Sequence, residues 1–200
     1  MALMVDAVNA RTRLLEAAVE AFAAKGFHGT TTRDIAGAAG MSPAALYVHH
    51  RSKEELLYEI SLAGHQRALA LCEDAIAASS DPERQLVDLV RDFVRHHAVH
   101  HTIARIVNYE LAALSAEHRA EIDALRHRMD ALVRDLVHRG AASGRFTTPE
   151  PAMTGAALLS LGIDVARWYD EAGGWSPEAI AGHYAELALR MVGSNGSSPS

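Results

Sequence analysis

The sequence predicts an all-α protein of about nine helices, in which an N-terminal three-helix unit carries a helix-turn-helix and a larger helical unit follows. Three observations carry that prediction. Apolar residues recur three and four apart along most of the chain, helix-capping signatures mark successive starts, and no segment shows the alternation a half-buried strand requires. The chain's 200 residues are 49% hydrophobic, enough for a sizeable core, and turn-forming residues are sparse away from the two ends.

The first helix carries Phe22 and stops near Gly26. The second opens at Thr31, whose hydroxyl caps the free amides of the first turn, with Asp34 three residues on at capping-box spacing. Ile35, Ala38 and Ala39 are then expected to face inward, and Gly40 to supply the left-handed residue that stops the helix, with Met41 plugging the gap beneath. The third helix starts at once, because Ser42 is a good N-cap and Pro43 suits the first helical position, where its missing N–H costs nothing. Leu46 points to the core. Ala44 and Ala45 allow close approach of another surface, Tyr47 and His49 lie near the exposed side, and a helix of this kind fits a major groove. Ser52 with Glu55 makes a second capping box and opens a helix through Leu56, Leu57 and Ile60 to about Ala78.

Beyond residue 60 the periodicity continues. Ser79, Ser80, Asp81 and Pro82 break the long helix and start the next, which turns Leu86, Leu89, Val90, Phe93 and Val94 inward. A helix over about 103–114 follows, then one over about 117–142 with Ile122, Leu125, Met129, Leu132 and Leu136 on one stripe, ended by Gly140, Gly144 and Phe146. The segment after Pro149 forms the penultimate helix and WSPEAIAGHYAELALRMVG the last. The chain thus divides into a helix-turn-helix unit over 8–60, a larger helical unit over 61–193, for which the resemblance given below implies ligand binding and dimerisation, and a disordered tail over 194–200, frayed from Asn195 to Ser200.

Composition narrows the setting. The single cysteine, Cys72, excludes an internal disulfide framework and suits a reducing cytoplasm. The start, MALMVDAVNARTRLL, shows no export signal, and no apolar run reaches the roughly 18 residues of a membrane helix. The net charge of −6 does not exclude nucleic acid, because the charge that matters is local, and Arg11, Arg13, Arg33, Arg51 and Lys53 cluster near the helix-turn-helix.

The run LLEAAVEAFAAKGFHGTTTRDIAGAAGMSPAALYVHHRSKEELL resembles, without a gap from about Arg11 to Ile60, the DNA-binding domain of the TetR family of bacterial transcriptional regulators. The Thr-rich entry, the Ala-Gly turn, the Leu-Tyr pair and Ser-Lys-Glu-Glu-Leu occur there in order. The resemblance implies that Thr32, Tyr47, His49 and Lys53 touch the DNA backbone and that Arg33, Pro43, Ala44 and Ala45 lie nearest the base edges, with the caps Thr31 and Ser42 completing the face. Pro43, Ala44 and Ala45 offer apolar contact, so direct readout is modest, through thymine methyls and Arg33, with DNA shape adding the rest. One departure stands out: the family usually has an aromatic residue, most often Phe, at the position of His50.

The last two helices suggest self-association. From Ala152 to Ala166 small or apolar residues run all round the helix, and Ile180, Tyr184, Leu187 and Met191 form a seam on the last one. With Ala156, Leu159 and Ile163 they are the candidate homodimer interface, two hairpins forming a four-helix bundle as in the resembling family. A two-fold dimer implies a palindromic double-stranded operator. The resemblance further implies a small-molecule effector that releases the protein from DNA, hence a repressor. Polar residues interrupting apolar helices are the candidate pocket: His97, His101, Arg105, Asn108, Tyr109, Asp164, Arg167 and Trp168. Arg167, Trp168, Tyr169, Gly173 and Gly174 are similar to TetR-type regulators of lipid and steroid catabolism that respond to acyl-coenzyme A thioesters, with a packed helix end and an Arg167 salt bridge as the plainer alternative.

Within HHAVHH, His96 with His100 and His97 with His101 are each four apart, but that is spacing alone, with no cysteine to complete a metal set, so neither metal nor cofactor is expected. A nucleophile elbow, a phosphate loop and a zinc-protease pair are all missing from the sequence, which argues against an enzyme. The alternative function is a degenerate family member that acts through a protein partner instead of DNA.

Overall fold

The computed structural model describes the backbone of residues 2–194 and the side chains from Asn9 onward. The tail expected over Asn195–Ser200 lies outside the described residues. Among these, nine α-helices and one 3-10 turn follow in order: α1 (Ala2–Gly29), α2 (Thr32–Ala38), α3 (Pro43–His49), α4 (Lys53–Ala77), α5 (Pro82–Val99), α6 (His101–Tyr109), the 3-10 turn Leu111–Ala113, α7 (Ala116–Ala142), α8 (Pro151–Trp168) and α9 (Pro177–Met191). Gly26 interrupts α1 with a φ of 69°.

Contacts group these helices into two compact units. The first joins the chain up to His65 with Thr102–Ile122, and the second joins Gln66–His101 with the residues from Asp123 on. Chain order and packing therefore differ, since 102–122 lie beyond residue 60 yet pack with the N-terminal helices. The core of the first unit is built on Leu14, Phe22, Ile35, Leu46, Leu56, Leu57, Ile106 and Ile122. Within it, Glu54 on α4 accepts the Ser115 N–H and the His118 Nδ1–H, each at 2.8 Å, and so holds the first turn of α7. One turn along α4, Tyr58 stacks on His118 at 3.7 Å and donates its hydroxyl to Glu121.

The second unit buries Leu86, Leu89, Val90, Phe93 and Val94 of α5, as their spacing predicts, against α7, α8 and α9. On α7, Ile122, Met129 and Leu136 are buried, Leu125 and Leu132 are half-buried, and Val133 and Val137 are fully enclosed, so the apolar stripe is wider than expected. At the α4–α5 corner the Gln85 amide donates to the carbonyls of Ile76 and Ser79 at 2.7 and 2.6 Å, which satisfies backbone the break would leave open. Gly140 is where Phe146 folds back on α7: a Cβ there would lie 2.0 Å from the ring.

Several local expectations shift. The helix predicted over 103–114 spans His101–Tyr109 and closes with the 3-10 turn, and α8 starts at Pro151. On α2, Ala36 is buried and Ala38 exposed, because Ile35, Ala36 and Ala39 share the inward arc and Ala38 falls about a sixth of a turn outside it. Among the described residues no helix is long and apolar enough to cross a membrane.

Candidate nucleic-acid interface

The geometry of the helix-turn-helix follows from short-range hydrogen bonds. Thr31 Oγ1 accepts the Asp34 amide at 3.1 Å while Asp34 Oδ2 accepts the Thr31 amide at 2.8 Å, the reciprocal capping box. The Thr31 hydroxyl bond and Lys25, at 2.9 Å, hold the Asp34 carboxyl well below the usual carboxylate range. At the other end of α2, Gly40 takes a φ of 68°, with its own N–H on Gly37 O at 3.1 Å and the Met41 N–H on Ala36 O at 2.8 Å. That is the Schellman pattern, and it aims the chain into α3.

Ser42 caps α3 by accepting the Ala45 amide at 3.1 Å, with Pro43 at the first position. Leu46 is wholly buried beneath. On the opposite side Pro43 and Ala44 are exposed, Tyr47 is 55% exposed and Val48 is 79% exposed, while Ala45 and His49 are half-buried. Thr32 Oγ1 and Tyr47 Oη lie 3.4 Å apart, so the polar atoms at the start of α2 and on α3 are presented together. Arg33 is exposed beside them. Val48 is absent from the set that sequence reasoning produced; its i,i+4 relation to Ala44 was the available signal.

Lys53 stands apart from the other candidates. Its ammonium donates to the carbonyls of Phe27 and Thr30, both at 2.6 Å, and lies 4.3 Å from the Phe27 ring, so it ties the start of α4 to the end of α1. Ser52 caps the Glu55 amide at 3.1 Å, but the Glu55 carboxylate accepts from Arg51 N–H, one residue short of the expected box. Arg11 is likewise engaged, at 2.6 Å from Glu59, whereas Arg13 and Arg51 are exposed.

His50, the position of the sequence departure, ends α3 and is 1% exposed. Nδ1 lies 3.1 Å from Glu59 Oε1 and Nε2 has no hydrogen-bond partner. A neutral ring donating from Nδ1 pairs with Glu59 but leaves the buried Nε2 lone pair unmet, and burial pushes the imidazole's pKa down against the opposing pull of Glu59.

In the second unit the exposed side of α8 carries Ala156, Met153 at 71%, Leu161 at 42% and Trp168 at 38%. Leu159, Ile163, Tyr184, Leu187 and Met191 are half-buried. Ile180 is corrected: it is 5% exposed within its own chain's core, where α9 presents Ile180, Ala181 and Ala188, and so has almost no surface left for a second chain.

The eight pocket candidates are divided between the two units. Arg105, Asn108 and Tyr109 belong to the first unit and the rest to the second. His97 is buried with Nδ1 on Phe93 O at 2.8 Å; His101 meets Tyr169 ring to ring at 5.2 Å. Arg167 grips Asp164 through two bonds of 2.6 and 3.0 Å, which is the packed-end alternative. A separate small apolar crevice, with a free volume of only about 10 Å³, is lined by Leu89, Val90, Phe93, Val94, Val133, Leu158 and Leu159, none of them among those eight. The histidine run also breaks: α5 ends at Val99, His100 is its C-cap and His101 begins α6, so the four rings do not share one helix. Among the described residues no group of three or more His, Cys, Asp or Glu side chains is placed to hold a metal.

Comparison with known proteins adds four findings. Residues 14–60 match the family described as bacterial regulatory proteins, tetR family, and residues 79–192 match the tetracyclin repressor-like C-terminal domain. A tetR-family bacterial regulatory protein from Rhodococcus RHA1 superposes with a TM-score of 0.88 at 42% identity, covering 92% of this chain and 97% of that one. The HTH-type transcriptional repressor KstR2 of Rhodococcus jostii (strain RHA1) is 28% identical over 181 residues, 90% of this chain and 89% of the repressor. AibR, solved in complex with isovaleryl coenzyme A and operator DNA, shares the fold at a TM-score of 0.82 and 22% identity, over 92% of this chain and 99% of that one. With both halves of the chain matched in order, this protein belongs to the TetR family of bacterial transcriptional regulators.

Proposed function

We propose that this chain is a cytoplasmic repressor that binds a palindromic operator as a homodimer through α2 and α3 and leaves it when a small-molecule effector binds the second unit. The observation that carries this reading is α3 itself: capped at both ends, anchored by a wholly buried Leu46, and turning Pro43, Ala44 and Tyr47 outward. Tyr47, Thr32 and His49 meet phosphates, with Lys53 fixing the α4 start and contributing its remaining N–H; Thr31 and Ser42 cap the two helices on that face. Arg33, Pro43, Ala44 and Ala45 approach the base edges.

The exposed apolar side of α8 supports pairing with a second copy, through Ala156, Leu159, Ile163, Tyr184, Leu187 and Met191, since solvent contact with residues such as Met153 and Leu161 is unfavourable. The ligand of AibR, isovaleryl coenzyme A, makes an acyl-coenzyme A thioester the effector class to test. His97, His101, Arg105, Asn108, Tyr109, Asp164, Arg167 and Trp168 remain the candidates for its polar end.

Fluorescence anisotropy on a duplex enriched by the full chain from a random library tests all three parts. Tyr47→Ala, at an exposed position, is expected to weaken binding about tenfold, the scale of one charge-assisted hydrogen bond. Isovaleryl-coenzyme A or a longer acyl thioester should release the duplex, and sedimentation should give twice 21.5 kDa. Enrichment of no duplex would move the reading to a protein partner.

A further inference from the structure

The geometry points to Val48 as the residue through which α3 discriminates bases, by burying its methyl groups against the 5-methyl of a thymine in the major groove; this rests on the proposed operator binding. The helix reads Pro-Ala-Ala-Leu-Tyr-Val-His and contains no Arg, Lys, Asn, Gln, Asp or Glu. It therefore lacks every side chain that recognises guanine, adenine or cytosine by paired hydrogen bonds. The one apolar group that a base edge displays in that groove is the thymine methyl.

Val48 is suited to that group in three respects. At 79% it is the most exposed large hydrophobic side chain among the described residues, although the core beneath α3 is complete, with Leu46, Leu56 and Leu57 wholly buried. It lies one turn from the exposed Ala44, so the two form a narrow apolar strip along the helix, beside Tyr47. Its branched side chain is held near one rotamer in a helix, so little side-chain freedom is lost on contact and the methyl groups occupy defined positions. A long flexible side chain there would read less sharply.

A uracil-interference experiment tests this with the full chain and a duplex it enriches from a random library. Thymines are partly replaced by uracil, which removes only the 5-methyl, and bound and free pools are cleaved at uracil. The wild type is expected to show one or two thymines per half-site at which uracil weakens binding about fourfold, the value of one buried methyl-sized group. In Val48→Ala that discrimination should vanish at one thymine, while affinity for the duplex carrying uracil at that position matches the wild type's. Val48→Thr, which keeps the branched shape, should retain part of it. An unchanged pattern in Val48→Ala, or tight binding with no thymine sensitive to uracil, overturns the assignment and leaves operator binding standing. Failure to enrich any duplex removes both.

Discussion

Acidification should destabilise this protein through His50. The ring is 1% exposed, Nδ1 faces Glu59 Oε1 at 3.1 Å, and Nε2 has no partner. The groups acting on it are Glu59 and Glu55, which favour the charged ring, and Arg11, which opposes it, but desolvation is the largest effect and sets the pKa below the ordinary value of 6.5. The unfolded chain therefore takes up a proton below pH 6.5 that the folded chain refuses, so stability falls as pH drops, until the folded-state pKa is reached. A proton bound only by the unfolded state costs at most about 1 kcal/mol between pH 6.5 and 5.5 and at most about 1.4 kcal/mol per further pH unit, the loss ending where the folded ring itself takes up the proton. His50→Phe removes both the titration and the buried unpaired nitrogen, whose desolvation costs about 1–3 kcal/mol. Glu59 keeps Arg11 as its partner at 2.6 Å. Urea titrations followed by far-ultraviolet circular dichroism at pH 7.5, 6.5 and 5.5 measure the effect. The variant should be more stable at pH 7.5, and its advantage should grow by about 1 kcal/mol at pH 5.5. His96, pushed down to about 4 mainly by burial, adds a loss of the same sign in both proteins, so the difference between them carries the test. Parallel pH curves for the two proteins, or a less stable variant at pH 5.5, would refute the reasoning.

Two further substitutions probe packing. Gly140→Ala puts a methyl 2.0 Å from the Phe146 ring, which is itself 2% exposed, and is expected to cost about 1–3 kcal/mol, read as a drop in Tm of about 2–4 °C per kcal/mol. Lys53→Met keeps the apolar stem over Phe27 but withdraws the ammonium from the carbonyls of Phe27 and Thr30; about 1–2 kcal/mol of stability should be lost in the same urea assay, with Lys53→Arg recovering part of it.

Much of the DNA-facing motif is legible in the sequence because its determinants act over a few residues. Thr31 with Asp34, Gly40 with Met41, and Ser42 with Pro43 each specify their hydrogen bonds within one turn, and the coordinates contain them. The proposed effector site is not legible in that way. His97, Asp164 and Arg167 are polar interruptions on paper, yet His97 meets its own helix's carbonyl and Asp164 pairs with Arg167 three residues on. The small apolar crevice beside Phe93, Val133 and Leu158 is bounded by ordinary core residues, whose type carries no sign of it.

The order of the helices, the turn between α2 and α3, and the outward placement of Tyr47 were determined by the sequence alone, since caps and periodicity are local. Tertiary structure decided which side of an apolar helix meets its own core. On α9 it buried Ile180 with Ala181 and Ala188 and left Tyr184, Leu187 and Met191 half-covered; on α2 it chose Ala36 over Ala38. It also brought Lys53 to carbonyls 23 and 26 residues away and set Arg11 beside the carboxylate that His50 meets. Such pairings depend on where distant segments stop in space. Hydrophobicity and hydrogen-bonding capacity state what each side chain needs, and only the folded arrangement supplies the partner.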